Sequence, residues 1–205
     1  MTRIKLCGMM RESDIETANR LKVDYVGFVF AKKSKRCVTP ELAKTLKERL
    51  DPSIRSVGVF VDEEKELVSG LLREGIIDLA QLHGSESDVY VVDLKKITEK
   101  PVIRAFRVKS TADLSEAAEC SADYILLDAG AGDGEVFDWE ILKGFDRPFF
   151  LAGGLCPENV SEAVRRIRPF GVDVSSGIET DGKKDPEKMK SFTEAVRNSD
   201  LDRRL

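Results

Sequence analysis

The chain has 205 residues, of which 33 are basic and 37 acidic, and its formal charge is −4. This acidic balance argues against general binding to nucleic acid or to an anionic membrane, because both require a net basic surface. Hydrophobic residues make up 41% of the chain and charged residues 34%. That composition is globular and excludes a disordered or collagen-like chain. The length fits one domain or two small ones.

The sequence predicts a soluble, cytoplasmic protein. Its longest apolar runs, such as Tyr25 to Ala31, are far shorter than the ~18 residues of a membrane span. No apolar stretch with a small-residue cleavage site follows Met1, so we expect no secretory signal. The cysteines are Cys7, Cys37, Cys120 and Cys156. Their wide spacing excludes a close-paired zinc or redox motif and predicts reduced thiols.

A strand-like run followed by a loop and a charged amphipathic stretch recurs eight times along the chain. The predicted strands are Ile4 to Cys7, Tyr25 to Phe30, Ser56 to Val61, Leu79 to Leu82, Pro101 to Phe106, Tyr124 to Asp128, Phe149 to Ala152 and Gly171 to Val174. Strict alternation of strand and helix implies parallel strands with right-handed crossovers. Eight units predict an α/β fold, a (β/α)8 TIM barrel. An open flavodoxin-like sheet is the alternative, although it normally has about five strands.

The segments between these strands predict helices. They are Glu12 to Leu21, Pro40 to Leu50, Glu63 to Arg73, Glu86 to Ile97, Ala112 to Glu119, Trp139 to Lys143, Pro157 to Ile167 and Pro186 to Val196. Three of them are expected to begin at a proline, the residue type favoured in the first helical turn. With no linker or low-complexity tract in between, we predict a single barrel domain over residues 1–205.

Alternation along each strand predicts which side chains face the barrel interior. In the first strand Ile4 and Leu6 are expected to pack under the helices, so Lys5 and Cys7 point inward. The other expected inward residues are Gln81, His83, Arg104, Tyr124, Leu126, Asp128 and Asp173. A buried charge needs a partner, and barrel closure makes the eighth strand a neighbour of the first. We therefore predict an ion pair between Lys5 and Asp173.

Cys7 and Asp128 are each the last residue of their predicted strand. Active sites of such barrels lie at the C-terminal ends of the strands. The two side chains are expected to face each other across the barrel mouth, where an acid and a base would act on opposite sides of a sugar. The alternatives are a small buried hydrophobic residue for Cys7 and a helix or loop cap for Asp128.

Small residues follow the last two strands, in Gly153-Gly154-Leu155 and Ser175-Ser176-Gly177. Loops at these positions commonly bind phosphate, because small residues let backbone N–H groups reach the oxyanion. Ordinary tight turns are the alternative. A third glycine-rich loop, Gly130 to Gly134, has the composition of a mobile lid.

Two further rim residues are candidates for ligand binding. Arg36 ends a basic run after the second strand, and its planar guanidinium matches a carboxylate; a solvated surface is the alternative. His83, the only histidine, is either a core residue or a hydrogen-bond donor to ligand. A single histidine argues against a metal site.

Nine segments in order make the chain resemble the phosphoribosylanthranilate isomerase family of tryptophan biosynthesis. They are Lys5-Leu6-Cys7-Gly8, Gly27-Phe28-Val29-Phe30, Lys33-Ser34-Lys35-Arg36, Val57-Gly58-Val59-Phe60, Gln81-Leu82-His83-Gly84, Leu126-Leu127-Asp128, Phe137-Asp138-Trp139, Leu151-Ala152-Gly153-Gly154-Leu155 and Asp173-Val174-Ser175-Ser176-Gly177-Ile178-Glu179. Singly most of these motifs are weak. Together and in the family's order they are specific.

The resemblance implies an Amadori rearrangement of a small phosphosugar, N-(5-phosphoribosyl)anthranilate, without metal or cofactor. It implies Cys7 as general base, Asp128 as general acid and Arg36 as ligand of the anthranilate carboxylate. The resemblance also assigns phosphate binding to Gly153, Gly154, Ser175, Ser176 and Gly177, and supporting roles at the substrate to His83 and Asp173. Cys7 must act as a thiolate and Asp128 must stay protonated. We expect Lys5 to favour the thiolate and apolar surroundings to keep Asp128 neutral.

One loop departs from the family pattern. Ala131-Gly132-Asp133-Gly134-Glu135 places two carboxylates where the family usually has a Gly-Gly-Ser/Thr-Gly sequence, which affects the expected substrate affinity. The alternatives to the isomerase are another phosphosugar barrel enzyme and a catalytically silent phosphate-binding barrel. The expected assembly is a monomer or homodimer, with no nucleic-acid or membrane partner.

Overall fold

The computed structural model describes residues 1–128, 139–142 and 144–201. These residues form a closed barrel of eight parallel strands in sequential order. The strands are β1 (Arg3–Cys7), β2 (Tyr25–Val29), β3 (Arg55–Phe60), β4 (Leu79–Leu82), β5 (Val102–Arg107), β6 (Tyr124–Asp128), β7 (Phe149–Ala152) and β8 (Gly171–Val174). Pairing of β1 with both β2 and β8 closes the ring. The TIM-barrel prediction is confirmed, and the open-sheet alternative is wrong.

Helices connect the strands along the outside of the barrel. They are α1 (Glu12–Leu21), α2 (Pro40–Glu48), α3 (Lys65–Arg73), α4 (Asp88–Thr98), α5 (Thr111–Glu119), α6 (Val160–Ile167) and α7 (Pro186–Leu201). In the sixth unit, Trp139–Leu142 is a 3₁₀ helix, where the sequence predicted a helix to Lys143, a residue outside the described ranges. A short antiparallel hairpin, β9 (Glu179–Thr180) and β10 (Lys183–Lys184), follows β8.

The helix starts follow local capping. Thr39 accepts a hydrogen bond from the backbone N–H of Leu42, so α2 begins at Pro40 as predicted. The predicted start at Pro157 is wrong, because α6 begins three residues later, at Val160. The amide of Asn159 closes the preceding turn: its Nδ2 donates to the Gly154 carbonyl and its Oδ1 accepts from the Cys156 backbone N–H, both at 2.9 Å.

Alternation along the strands sorts the core into two parts. Outward side chains such as Ile4 and Leu6 belong to the large core beneath the helices. A second apolar cluster fills the lower barrel interior and contains Tyr25, Val57, Leu79, Ile103, Ala105, Leu126, Phe150 and Ala152. Burying this apolar surface stabilises the fold by about 25 cal/mol per Å². The upper interior holds the site, where the charged pair Lys5–Asp173 lies near a small cluster of Cys7, Val29 and Val59.

The predicted inward orientation of Arg104 is wrong. Its neighbours Ile103 and Ala105 lie in the interior cluster, so Arg104 points outward, on the face of β5 that packs under the helices. It is 8% exposed and lies over the Phe106 ring at 5.3 Å. Both faces of β5 carry apolar residues, so alternation in the sequence does not distinguish its inward face.

Partners on the preceding loop compensate the burial of Arg104. Its guanidinium donates to the carbonyl oxygens of Leu82 and Gly84, each at 3.0 Å. It also forms an ion pair with Glu86 at 3.3 Å. Arg104 therefore joins the end of β4 to β5 behind the barrel wall and does not reach the barrel mouth.

Within the described ranges, no helix combines the length and the apolar composition that crossing a membrane requires.

Candidate active site

A cavity of about 240 Å³ opens at the C-terminal ends of the strands. It is lined by Cys7, Val59, Gln81, His83, Asp128, Ala152, Gly153, Gly154, Leu155, Asp173, Val174, Ser175 and Ser176. Eight of the predicted site residues are in this lining. Arg36 and Gly177 are not part of the lining.

Cys7 ends β1 with its side chain buried beside Val29 and Val59. Gly27, its partner on β2, leaves room for the thiol, because a Cβ there would lie 2.6 Å from Cys7 Sγ. Burial raises the pKa of the Cys7 thiol, and the positive charges of Lys5 and Lys184 act against that rise. Lys5 thus favours the thiolate as expected, but burial outweighs it.

Lys5 and Asp173 form the predicted ion pair. Lys5 Nζ lies 2.9 Å from Asp173 Oδ1, and the two residues are direct partners in the β1–β8 register. The Lys5 side chain is fully buried. Although burial acts to lower the pKa of Lys5, Asp173 and Cys7 raise it overall. The Lys5 ammonium acts to lower the pKa of the Cys7 thiol, and the Asp173 carboxylate acts to raise it.

Asp128 ends β6 on the lining of the same cavity. Its Oδ2 lies 3.4 Å from His83 Nε2, and His83 Nδ1 lies 3.0 Å from Gln81 Nε2. With the Gln81 amide as donor, the neutral imidazole carries its proton on Nε2 and presents it to Asp128. The surroundings of Asp128 are therefore more polar than the sequence predicted, and His83 is adjacent to the candidate acid.

The two small-residue loops lie next to each other on the rim. Gly153 and Gly154 adopt positive φ angles of 94° and 66°, conformations that favour glycine. Ser175 donates through Oγ to the Cys7 carbonyl at 3.1 Å. Gly177 packs the second loop against the first, because a Cβ there would lie 1.9 Å from the Leu155 carbonyl oxygen. Gly177 is thus a close-packing position between the loops.

Arg36 is oriented by a carboxylate of the chain itself. Its Nε and Nη2 donate to Glu179 Oε1 and Oε2 at 2.6 and 2.8 Å. Lys184 Nζ donates to the same Glu179 Oε1 at 2.7 Å. Although burial acts to raise the pKa of Glu179, the hydrogen bonds from Arg36 and Lys184 lower it to about 2.

The sequence reasoning missed Lys184 and left Glu179 without a role. Glu179 is the last residue of the family segment that begins at Asp173, and this position is the signal in the sequence. Lys184 lies in a polar stretch after β8 whose sequence resembles an exposed turn, and only the β9–β10 hairpin buries it.

Two further expectations concern the candidate lid and a metal site. The candidate lid from Gly130 to Gly134 falls outside the described residues, as does Glu135. Among residues 1–128, 139–142 and 144–201, no three His, Cys, Asp or Glu side chains are grouped so that they could hold a metal ion.

Comparison with known proteins assigns the family. Residues 4–195 match the family model described as N-(5'phosphoribosyl)anthranilate (PRA) isomerase. A relative of that name from Thermoanaerobacter sp. (strain X514) is 46% identical over 204 residues, covering 96% of this chain and 98% of the relative. The crystal structure of phosphoribosyl anthranilate isomerase from Thermotoga maritima is 36% identical, with a TM-score of 0.90, covering 97% and 100% of the two chains.

A second solved structure of this kind holds reduced 1-(o-carboxyphenylamino)-1-deoxyribulose 5-phosphate. It is 36% identical to this chain, with a TM-score of 0.87 and coverage of 97% and 100%. Both the sequence and the barrel thus match the same group of enzymes over almost their full length. This chain belongs to the N-(5'-phosphoribosyl)anthranilate isomerase family.

Proposed function

We propose that this isomerase rearranges N-(5-phosphoribosyl)anthranilate with Cys7 as general base and Asp128 as general acid. The observation that carries the proposal is the cavity at the barrel mouth, whose lining contains both side chains. One stands at the end of β1 and the other at the end of β6. An acid and a base on different strands can act on two positions of one bound sugar.

The reaction begins at the furanose ring. Asp128 donates its proton to the ring oxygen, the bond between that oxygen and C1 breaks, and C1 forms a Schiff base with the anthranilate nitrogen. Cys7 as thiolate then takes the proton from C2, which gives an enolamine. In the tautomerisation to the ketone the Asp128 carboxylate takes the enol proton and the Cys7 thiol returns its proton to C1. Because an isomerisation conserves protons, both side chains return to their starting states.

The charge arrangement supports the base role of Cys7. Burial raises the pKa of the thiol, whereas Lys5 and Lys184 act to lower it. The thiolate is consequently a minor form near neutral pH, and kcat/KM is expected to increase into the alkaline range. Removing the Lys5 charge is expected to move that limb of the profile to higher pH.

The substrate's two anionic groups have separate candidate sites. We propose that the loops at Gly153-Gly154 and Ser175-Ser176 bind the phosphate and that Arg36 binds the anthranilate carboxylate. His83 and Asp173 take supporting roles at the substrate. A carboxylate introduced by Ser176→Asp is expected to raise KM through repulsion of the phosphate. We also propose that the enzyme is cytoplasmic, that it is a monomer or a homodimer, and that it works without a cofactor.

The test follows the fluorescence of phosphoribosylanthranilate, generated in place, with purified protein in the presence of EDTA. Cys7→Ala and Asp128→Asn are each expected to lower kcat by about 10²- to 10⁴-fold. Cys37→Ala is the matched control, because Cys37 is exposed, and it should keep wild-type rates. If folded wild-type protein shows no turnover, the substrate assignment is wrong. If kcat falls by less than tenfold in either variant, that residue does not have the proposed role.

A further inference from the structure

The carboxylate of Glu179 is held by two cations at the edge of the active site. Arg36 binds it through Nε at 2.6 Å and Nη2 at 2.8 Å, and Lys184 binds it through Nζ at 2.7 Å. The side chain of Glu179 is 6% exposed and that of Lys184 is 1% exposed. Two more cations lie near Glu179: Lys35 is 3.9 Å from the carboxylate with its side chain largely exposed, and Lys188 Nζ donates to the Glu179 backbone carbonyl at 2.8 Å.

The surroundings of Lys184 are those of a protonated ammonium group. Its Nζ has three oxygen partners: Glu179 Oε1 at 2.7 Å, the Ser175 carbonyl at 2.8 Å and Ser175 Oγ at 3.3 Å. An ammonium group has three N–H donors and no acceptor, which matches this set. Burial lowers the pKa of Lys184, and Glu179 acts to raise it.

The charges of the cluster decide what Arg36 can bind. Arg36 and Glu179 alone would form a closed neutral pair with little attraction for a further anion. With Lys184 the three side chains carry +1 − 1 + 1 = +1 when all are ionised. A guanidinium has five N–H donors, and the pair with Glu179 uses Nε and one N–H of Nη2. Nη1 and the second N–H of Nη2 form an edge that fits a carboxylate.

We propose that Lys184 and Glu179 are positioning residues for substrate binding: Glu179 orients Arg36, and Lys184 neutralises Glu179 so that Arg36 keeps its charge for the substrate carboxylate. This inference rests on the proposed function, since it takes the anthranilate carboxylate as the anion. Neither residue touches the reacting carbons. Their main contribution is to binding, and it depends on the sign of the charge at residues 179 and 184; the Lys184 charge also acts to lower the pKa of Cys7.

The test is a set of charge variants measured in steady state. Lys184→Gln removes the charge together with the ammonium donors to Ser175, and we expect KM to rise by at least about tenfold, the effect of a lost charged hydrogen bond. The change in kcat should be smaller. Lys183→Met is the matched control, because Lys183 is the exposed neighbour on the same strand β10, and its KM should equal that of wild type. Lys184→Arg should restore a KM close to wild type.

A double variant separates the charge from packing. Glu179→Gln combined with Lys184→Gln restores a net charge of +1 to the three positions, all of it on Arg36. The bonds from Lys184 to Ser175 stay absent. The KM of this double variant should fall below that of Lys184→Gln and approach that of Glu179→Gln alone. If Lys184 acted only by holding the Ser175 loop, the double variant would show no recovery, and that result would overturn the proposal.

Circular dichroism and thermal melts check that each variant is folded. If Lys184→Gln does not fold, Glu179→Gln alone carries the test, and it should raise KM with kcat little changed because Arg36 loses one of its two anchoring oxygens. Unchanged KM in that variant would overturn the proposal. Failure of the proposed function has a different signature, namely no turnover of phosphoribosylanthranilate by folded wild-type protein.

Discussion

The two ends of the barrel interior are built from opposite kinds of residue. At the N-terminal end Phe150 is fully buried and packs edge-on against Tyr25 and Phe170, with ring centroids 5.4 and 5.3 Å apart. At the C-terminal end the same interior holds the Lys5–Asp173 ion pair beneath Cys7.

Residues that stabilise the fold and residues that carry the chemistry therefore lie at opposite ends of the barrel axis. Apolar packing around Phe150 lowers the free energy of the fold, and none of Tyr25, Phe150 and Phe170 lines the cavity. Charged groups at the other end are costly to bury, and they are retained where a thiol needs a positive neighbour. Substitutions at the two ends should therefore affect different measurements.

The largest expected effect on folding comes from Phe150→Ala. Truncating a fully buried phenylalanine costs about 3–5 kcal/mol through lost burial and the cavity left behind. Urea denaturation should show this loss in the free energy of unfolding. At a temperature well below its own midpoint, the folded variant should keep kcat within about threefold of wild type, because Phe150 does not line the active-site cavity. A much larger loss of kcat would break the separation between the two ends.

Lys5→Met should affect both the free energy of unfolding and the reactivity of Cys7. It leaves Asp173, which is 8% exposed, without its cation, and breaking a buried pair costs about 3–5 kcal/mol. The pKa of Lys5 is raised above its ordinary value of 10.5, so its stabilising effect is fully present below that pH and is lost as pH rises through the folded pKa. Urea midpoints of wild type and variant should converge only above pH 10.5. A constant difference across that range would contradict the ion-pair explanation.

The pH dependence of Cys7 alkylation tests how burial and Lys5 affect the thiol at the C-terminal end of the barrel. Because burial raises the pKa of Cys7 above its ordinary value of 9.0, its reaction with iodoacetamide should increase at higher pH than that of the exposed Cys37. Mass spectrometry of the two peptides from one sample gives both rates. In Lys5→Met the Cys7 curve should move to still higher pH while the Cys37 curve stays in place. Coincident Cys7 curves would show that Lys5 does not stabilise the thiolate.

The smallest expected effect lies outside both ends of the barrel. Gly70 is in the middle of α3, and a Cβ there meets no atom within 4 Å. Gly70→Ala should raise the free energy of unfolding by about 0.4–1 kcal/mol, because alanine has fewer unfolded conformations to lose. The midpoint in urea should increase with no change in kcat or KM. A decrease would mean that the helix requires the glycine for a contact at this position.

The residues that the sequence predicted best are those governed by alternation. Ile4 and Leu6 face the helices while Lys5 and Cys7 face the interior, because β1 carries a clear apolar pair. Barrel closure then made Asp173 the neighbour of Lys5. The lining of the cavity by Cys7 and Asp128 follows from the rule that strand ends meet at one mouth. For these residues, local pattern and topology are sufficient.

Arg104 shows where the same reasoning fails. Strand β5 has apolar residues on both faces, so alternation did not indicate which face is inward. The deciding partner is Glu86, on the loop after β4. Such a pairing depends on loop conformation, and no spacing in the sequence specifies it.

The sequence by itself determined the eight strand–helix units, the parity of β1 and the strand ends that carry Cys7 and Asp128, because hydrophobic periodicity is a local property of the chain. The tertiary structure alone decided that Arg36 and Lys184 share Glu179. Arg36 and Glu179 are 143 positions apart. Arg36 lies on the loop after β2, and Glu179 lies in β9 of the hairpin loop after β8; β2 and β8 both border β1. Their contact requires the closed ring and the fold of both loops, because ion pairing depends on distances of a few ångströms.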